Sequence, residues 1–63
     1  MPYASNAQLP PSVQERLPPH AQDIFREAFN HAFVRYGETI AFRVAWAAVK
    51  RCYARVDGTW VIR

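Results

Sequence analysis

The chain has 63 residues, 51% of them hydrophobic, which is the length of one small domain spanning residues 1–63. A domain of that size buries only about 60% of the surface its unfolded form exposes, so a deep catalytic cleft beside a core is excluded, and no apolar run approaches the ~20 residues of a membrane-spanning helix. The formal net charge is +3, a modest excess that draws acidic partners only where it is concentrated in one place.

The prolines at 2, 10, 11, 18 and 19 restrict the first third to short pieces of regular structure, since each removes a backbone donor and biases its predecessor away from helix. Ser12-Val13-Gln14-Glu15 has the spacing of a capping box and predicts a short helix from Pro11 to Leu17. Pro18-Pro19 ends that helix and suits the first turn of the next.

From His20 to Tyr36 the apolar residues Ala21, Ile24, Phe25, Ala28, Phe29, Ala32, Phe33 and Tyr36 recur at i, i+3, i+4, which predicts a long amphipathic helix. Gly37 follows directly and can take the left-handed conformation that stops helices. A third helix is expected from Glu38 to Val56, with Ala41, Ala45, Ala48 and Cys52 at the centre of its apolar sector and Phe42, Trp46, Val49, Tyr53 and Val56 on its flanks. With so short a link, the two long helices must pack side by side.

Asp57-Gly58 is a turn signal, and Thr59-Trp60-Val61-Ile62 reads as a short strand. A strand needs a partner, and the remaining extended segment is the N-terminus around Met1-Pro2-Tyr3. The expected fold is therefore mainly α: a compact three-helix domain with one short and two longer amphipathic helices, plus a small two-stranded sheet pairing the N- and C-termini.

Across the chain, Met1-Pro2-Tyr3, Leu9-Pro10, Val13, Leu17-Pro18, His20-Ala21-Gln22-Asp23-Ile24-Phe25, Glu27-Ala28-Phe29-Asn30, Tyr36, Val44-Ala45-Trp46-Ala47-Ala48-Val49-Lys50, Tyr53, Gly58 and Trp60 resemble the ChaB family over nearly the full length. The resemblance implies three helices with a small terminal sheet. It also implies regulation of a cation/proton antiporter, hence a protein partner and, through the family label, a membrane transporter. Related domains occur in viral proteins and beside a nucleic-acid-binding domain, which implies binding of DNA or RNA as a second role. The family usually carries a longer, acid-rich loop between the second and third helices, and here only Gly37-Glu38-Thr39 stands in that place.

Two groups of polar residues are candidate surfaces. His20, Asp23, Glu27 and Asn30 fall at i, i+3, i+7 and i+10 and so line one strip of the second helix. A strip of this kind can dock a partner, but two carboxylates fall short of the six to eight oxygens calcium prefers, and the plainer role for the acids is to complement the helix dipole, with His20 at the cap. The second group follows from charge: up to Gly37 three arginines balance three acids, whereas Arg43, Lys50, Arg51, Arg55 and Arg63 outnumber Glu38 and Asp57. Arg43, Lys50, Arg51 and Arg55 on the third helix form a candidate basic surface for nucleic acid or an acidic protein segment, against the alternative of a solvated face favoured near a helix C-terminus.

Trp46 and Trp60 are able to stack on bases, but in so small a domain their first role is to cover the core. His31 stands too isolated for a ligand, and Cys52, the single cysteine, falls in the apolar sector and reads as a small core residue. One cysteine permits no internal disulfide and no cysteine zinc cluster. No catalytic triad, glycine-rich phosphate loop or metal motif is present, so the chain reads as a non-enzyme without cofactor or metal. The start Met1-Pro2-Tyr3-Ala4-Ser5 lacks the basic and apolar regions of a signal peptide, and a monomeric cytoplasmic protein without membrane insertion is expected.

Overall fold

The computed structural model of the chain describes residues 3–63. A single 3₁₀ turn at Asn6–Gln8 precedes helix α1 (Pro11–Arg16), helix α2 (Pro19–Tyr36) and helix α3 (Glu38–Cys52), and strands β1 (Tyr53–Val56) and β2 (Thr59–Ile62) close the chain as an antiparallel hairpin. Three helices with two dominant ones and a two-stranded sheet agree with the expected architecture.

The core follows a four-residue step along the chain. Leu9, Val13, Leu17, Ala21, Phe25 and Phe29 are buried on the first side, and Ala41, Ala45, Val49 and Tyr53 on the second. In a helix such a step keeps side chains on one slowly turning face, so the two rows meet where α2 lies against α3. Large residues of α2, Phe25 and Phe29, share one buried core with small residues of α3, Ala41 and Ala45, and Phe42 and Trp46 pack against it, partly buried. Phe42 meets Phe29 edge-on at a centroid distance of 4.9 Å, and Trp46 meets Phe25 edge-on at 5.1 Å.

Prolines leave carbonyls without local donors, and glutamine side chains supply them. Gln14 Nε2 donates to the Leu9 carbonyl at 2.6 Å, and Gln22 Nε2 donates to the Leu17 carbonyl at 2.8 Å, covering the end of α1 from the first turns of α2. The capping box does not form. Pro10 holds the N-cap position with no side-chain cap, which places Ser12 already within the first turn of α1. His20 likewise lies inside α2, one residue past the Pro19 that opens it.

Gly37 alone joins the two long helices, at φ +86°. Its N–H donates to the Phe33 carbonyl, closing α2, and its carbonyl accepts from Ala41 N–H, opening α3. Tyr36, expected on the apolar face, is 60% exposed because the chain turns away there.

The third helix ends four residues earlier than its periodicity suggests, and the last of the expected helical stretch becomes β1. The cause is the turn. Asp57 and Gly58 both have positive φ, +52° and +79°, the mirror-image turn that suits a two-residue hairpin and demands a strand on either side. The register pairs Val56 with Thr59, Arg55 with Trp60, Ala54 with Val61 and Tyr53 with Ile62. β2 is therefore partnered by β1, not by the N-terminus. Of the N-terminal segment expected to pair, Met1 and Pro2 lie outside the described residues, and Tyr3 is not in a strand.

The early end also corrects the core. The buried positions in this stretch are Val49 and Tyr53, one residue beyond the expected Ala48 and Cys52, and Cys52 is exposed. Where the chain leaves the helix after Cys52, Tyr53 swings inward as the first residue of β1 and takes the inner place.

Candidate functional site

The polar strip of α2 is divided by its own contacts. Asp23 Oδ1 accepts from Asn6 Nδ2 at 2.7 Å, and Arg26 Nε donates to Asn6 Oδ1 at 2.9 Å, so Asn6 is gripped from both sides of one helical turn. Asn30 does the same one step along. Its Oδ1 accepts from the Tyr3 N–H and its Nδ2 donates to the Tyr3 carbonyl, both at 2.7 Å, while the Tyr3 ring lies on Phe29 at 4.8 Å. Burial, with the Glu38 carboxylate adding to it, pushes the Tyr3 phenol above its ordinary pKa. Asp23 and Asn30 thus fasten the N-terminal segment to α2, leaving His20 and Glu27 as the strip's exposed members. No group of three or more acidic, histidine or cysteine side chains able to hold a metal ion occurs among the described residues.

The basic residues are brought together more selectively. A cleft runs between the end of α1, the C-terminal half of α3 and the hairpin, in two adjoining lobes. The larger, about 340 Å³, is lined by Lys50, Tyr53, Ala54, Arg55, Trp60 and Arg63. The smaller, about 190 Å³, is lined by Arg16, Trp46, Lys50, Arg55 and Trp60. Lys50, Arg55 and Trp60 belong to both, and no acidic residue lines either lobe.

Each cation reaches the cleft by a different route. Lys50 projects from the last turn of α3, and Arg55 stands directly across the hairpin from Trp60. Arg16 comes from the last turn of α1. Arg63 is fixed by its own bonds: its N–H donates to the Cys52 carbonyl at 3.0 Å and its Nη1 donates to the Lys50 carbonyl at 2.9 Å, covering carbonyls that the end of α3 leaves open. Trp60 stacks on Trp46 with ring centroids 6.0 Å apart and planes inclined by 30°, tying the hairpin to α3.

Of the four expected basic residues, Lys50 and Arg55 line the cleft. Arg43 lies seven residues before Lys50, about two turns and roughly 10 Å back along the same face of α3, so it extends the cationic surface beyond the cleft. Arg51 lies about 100° around the helix from Lys50 and does not line it. Arg16 and Arg63 were not in the expected set. The Asp57-Gly58 turn carried a usable signal, because a two-residue hairpin fixes Arg55 opposite Trp60, but nothing local announces that α1 delivers Arg16 to the same place.

The ChaB family model matches residues 9–63. The chain belongs to the ChaB family. It is 47% identical, over an alignment of 68 positions covering 90% of each chain, to the proteins of Escherichia coli K12 and Shigella flexneri named "Putative cation transport regulator ChaB". A solution NMR structure carrying the same protein name superposes with a TM-score of 0.88 at 43% identity, covering 98% of this chain and 99% of the other. Membership and fold therefore agree, and the ChaB relatives are named as regulators rather than as enzymes. No helix among the described residues is long and apolar enough to cross a membrane.

Proposed function

We propose that residues 1–63 act as one non-enzymatic ChaB-type module that regulates cation/proton antiport by binding another macromolecule through the cationic cleft. The observation that carries this reading is the lining itself: Arg16, Lys50, Arg55 and Arg63 converge on one concavity without a carboxylate among them. Such a lining focuses positive potential and selects an anionic segment. The module works as a cytoplasmic monomer, and the exposed His20 and Glu27 of α2 add a further contact, His20 standing 6.2 Å from the ring of Tyr53 in the cleft lining. Capture of a cation/proton antiporter from solubilised host membranes tests it. The wild-type module should retain the antiporter and an Arg16→Glu/Arg55→Glu variant should lose it; equal capture by both overturns the reading.

A second reading has its own support. The cleft interleaves cations with the stacked Trp46–Trp60 pair, the combination by which single-stranded nucleic acids are held. Here the protein is a nucleic-acid-binding accessory factor in which Lys50 and Arg55 contact phosphates in the cleft, Arg43 extends the track and Arg51 lies at its margin. Mobility-shift assays with DNA and RNA over a salt series test it: phosphate contacts should weaken steeply as salt rises, and absence of any shift at low salt removes the reading.

A further inference from the structure

We infer that the larger lobe of the cleft is a subsite for a single nucleotide unit, with the base against Trp60 and the phosphate among Lys50, Arg55 and Arg63. This rests on the nucleic-acid reading above and gives it a place and a stoichiometry. Size is the first argument. At about 340 Å³ the lobe falls at the low end of small-ligand sites, which begin near 300 Å³, and a duplex backbone has no need of a concavity of this kind.

Composition is the second argument. Trp60 supplies the accessible ring surface, with the buried Tyr53 forming the floor beneath it, while Lys50, Arg55 and Arg63 supply three cations around it and no lining carboxylate opposes an anion. An acidic peptide would use the cations and ignore the rings, whereas a nucleotide uses both, since every base has a π-face and every unit a phosphate.

Preorganisation is the third. The Arg63 guanidinium is already held by its bond to the Lys50 carbonyl, which engages one of its five N–H donors and orients the rest. Trp60 is held by Trp46, so its ring is already in place when ligand arrives. The smaller lobe, with Trp46 and Arg16 beside the shared Lys50, Arg55 and Trp60, is placed to receive the neighbouring unit of a strand.

The ligand chemistry, a base with its phosphate, can come from a free nucleotide or from a single strand. The test titrates fluorescein-labelled oligothymidylate into the full chain by anisotropy at 50 and 200 mM salt, with dTMP, inorganic phosphate and polyglutamate as unlabelled competitors. NMR chemical-shift mapping of the wild type with dTMP runs in parallel. Shifts should centre on the Trp60 indole N–H and the backbones of Lys50, Arg55 and Arg63.

Trp60→Leu should weaken the oligonucleotide roughly 5- to 150-fold, the range for removing one stacked base, while Trp60→Phe retains most of the affinity and guards against a folding artefact. Lys50→Ala/Arg55→Ala should flatten the slope of log affinity against log salt by about 0.7, the value for one single-strand phosphate, and Arg51→Ala by much less. Competition by dTMP supports the subsite with a free nucleotide as its source, and binding of the oligomer without dTMP competition supports it with a strand as the source. Strand binding that ignores Trp60, or shifts centred elsewhere, overturns the subsite while leaving the nucleic-acid reading intact. Polyglutamate competing as well as oligothymidylate, with Trp60→Leu neutral, overturns the subsite in favour of an acidic protein segment. No binding of any probe overturns the subsite and the nucleic-acid reading together, and antiporter capture then remains the measure of the first reading.

Discussion

The side-chain amide of Asn30 pairs with both backbone polar groups of Tyr3, accepting from its N–H and donating to its carbonyl at 2.7 Å each, 27 residues apart in sequence. A single planar group satisfies a donor and an acceptor that no helix or strand would otherwise reach. Asn30→Ala breaks both bonds, and at about 1 kcal/mol for each partly buried bond the expected cost is about 2 kcal/mol. Thermal unfolding should show a midpoint lowered by roughly 8–16 °C. Asn30→Asp keeps the acceptor but loses the donor, and should fall between.

The phenol of Tyr3 gives this contact a pH limit. Its pKa is raised above the ordinary tyrosine value of 10.0, first by burial and then by the Glu38 carboxylate, so the folded state holds the proton more tightly than the unfolded chain does. The stability this contributes is complete below pH 10 and is lost as pH rises through the higher folded-state value. The melting difference between wild type and Tyr3→Phe should therefore be constant up to about pH 10 and should move in favour of the phenylalanine variant above it.

Gly58 separates conformational strain from steric obstruction. It has φ +79°, yet a Cβ added there would meet nothing within 4 Å. Gly58→Ala should cost about 1–2 kcal/mol through the left-handed backbone alone. Chemical synthesis of this short chain with D-alanine at position 58 should restore the wild-type midpoint, because the D-residue prefers positive φ. A D-alanine variant as unstable as the L-alanine one would contradict this account.

Much of this architecture is legible in the sequence, and the exceptions share a cause. The long helices are set by the four-residue spacing of residues such as Ala21, Phe25 and Phe29, and their boundary by Gly37, each a signal read from near neighbours in the chain. Tyr53 and Val56 continue the apolar rhythm of α3, so periodicity runs past the true end of the helix; only the demand of the Asp57-Gly58 turn for a preceding strand marks it. Asp23 and Asn30 read as an open strip because their partners, Asn6 and Tyr3, lie 17 and 27 residues away. Lys50 and Arg55 are visible as charge on or near one helix, whereas Arg16 joins them through packing of α1, a relation with no local pattern.

Phe25 carries the largest expected loss. It is fully buried and its ring meets Phe29, Phe42 and Trp46. Phe25→Ala should cost about 3–5 kcal/mol. A chain of this length has a total stability of about 3–9 kcal/mol, so the variant should be extensively unfolded at 37 °C by circular dichroism, while Phe25→Leu should remain folded.

Cys52 offers a direct check on where α3 ends. Were the helix to continue to Val56 with Cys52 at its core, a thiol reagent would require unfolding before reaction. Because Cys52 is exposed, one equivalent should react with Ellman's reagent in the native state, without denaturant. Protection comparable to a buried thiol would place the end of the helix elsewhere.

Trp46 and Trp60 are the chain's two tryptophans, and both stand at the junction of α3 with the hairpin. Intrinsic tryptophan emission therefore reports on this joint and on the groups packed around it, Phe25 of α2 and Arg16 of α1, rather than on the N-terminal tether. If the hairpin peels from α3 before the helical pair melts, emission and far-ultraviolet ellipticity will trace separate transitions. Stability measured by emission alone would then be the stability of the joint and not of the fold.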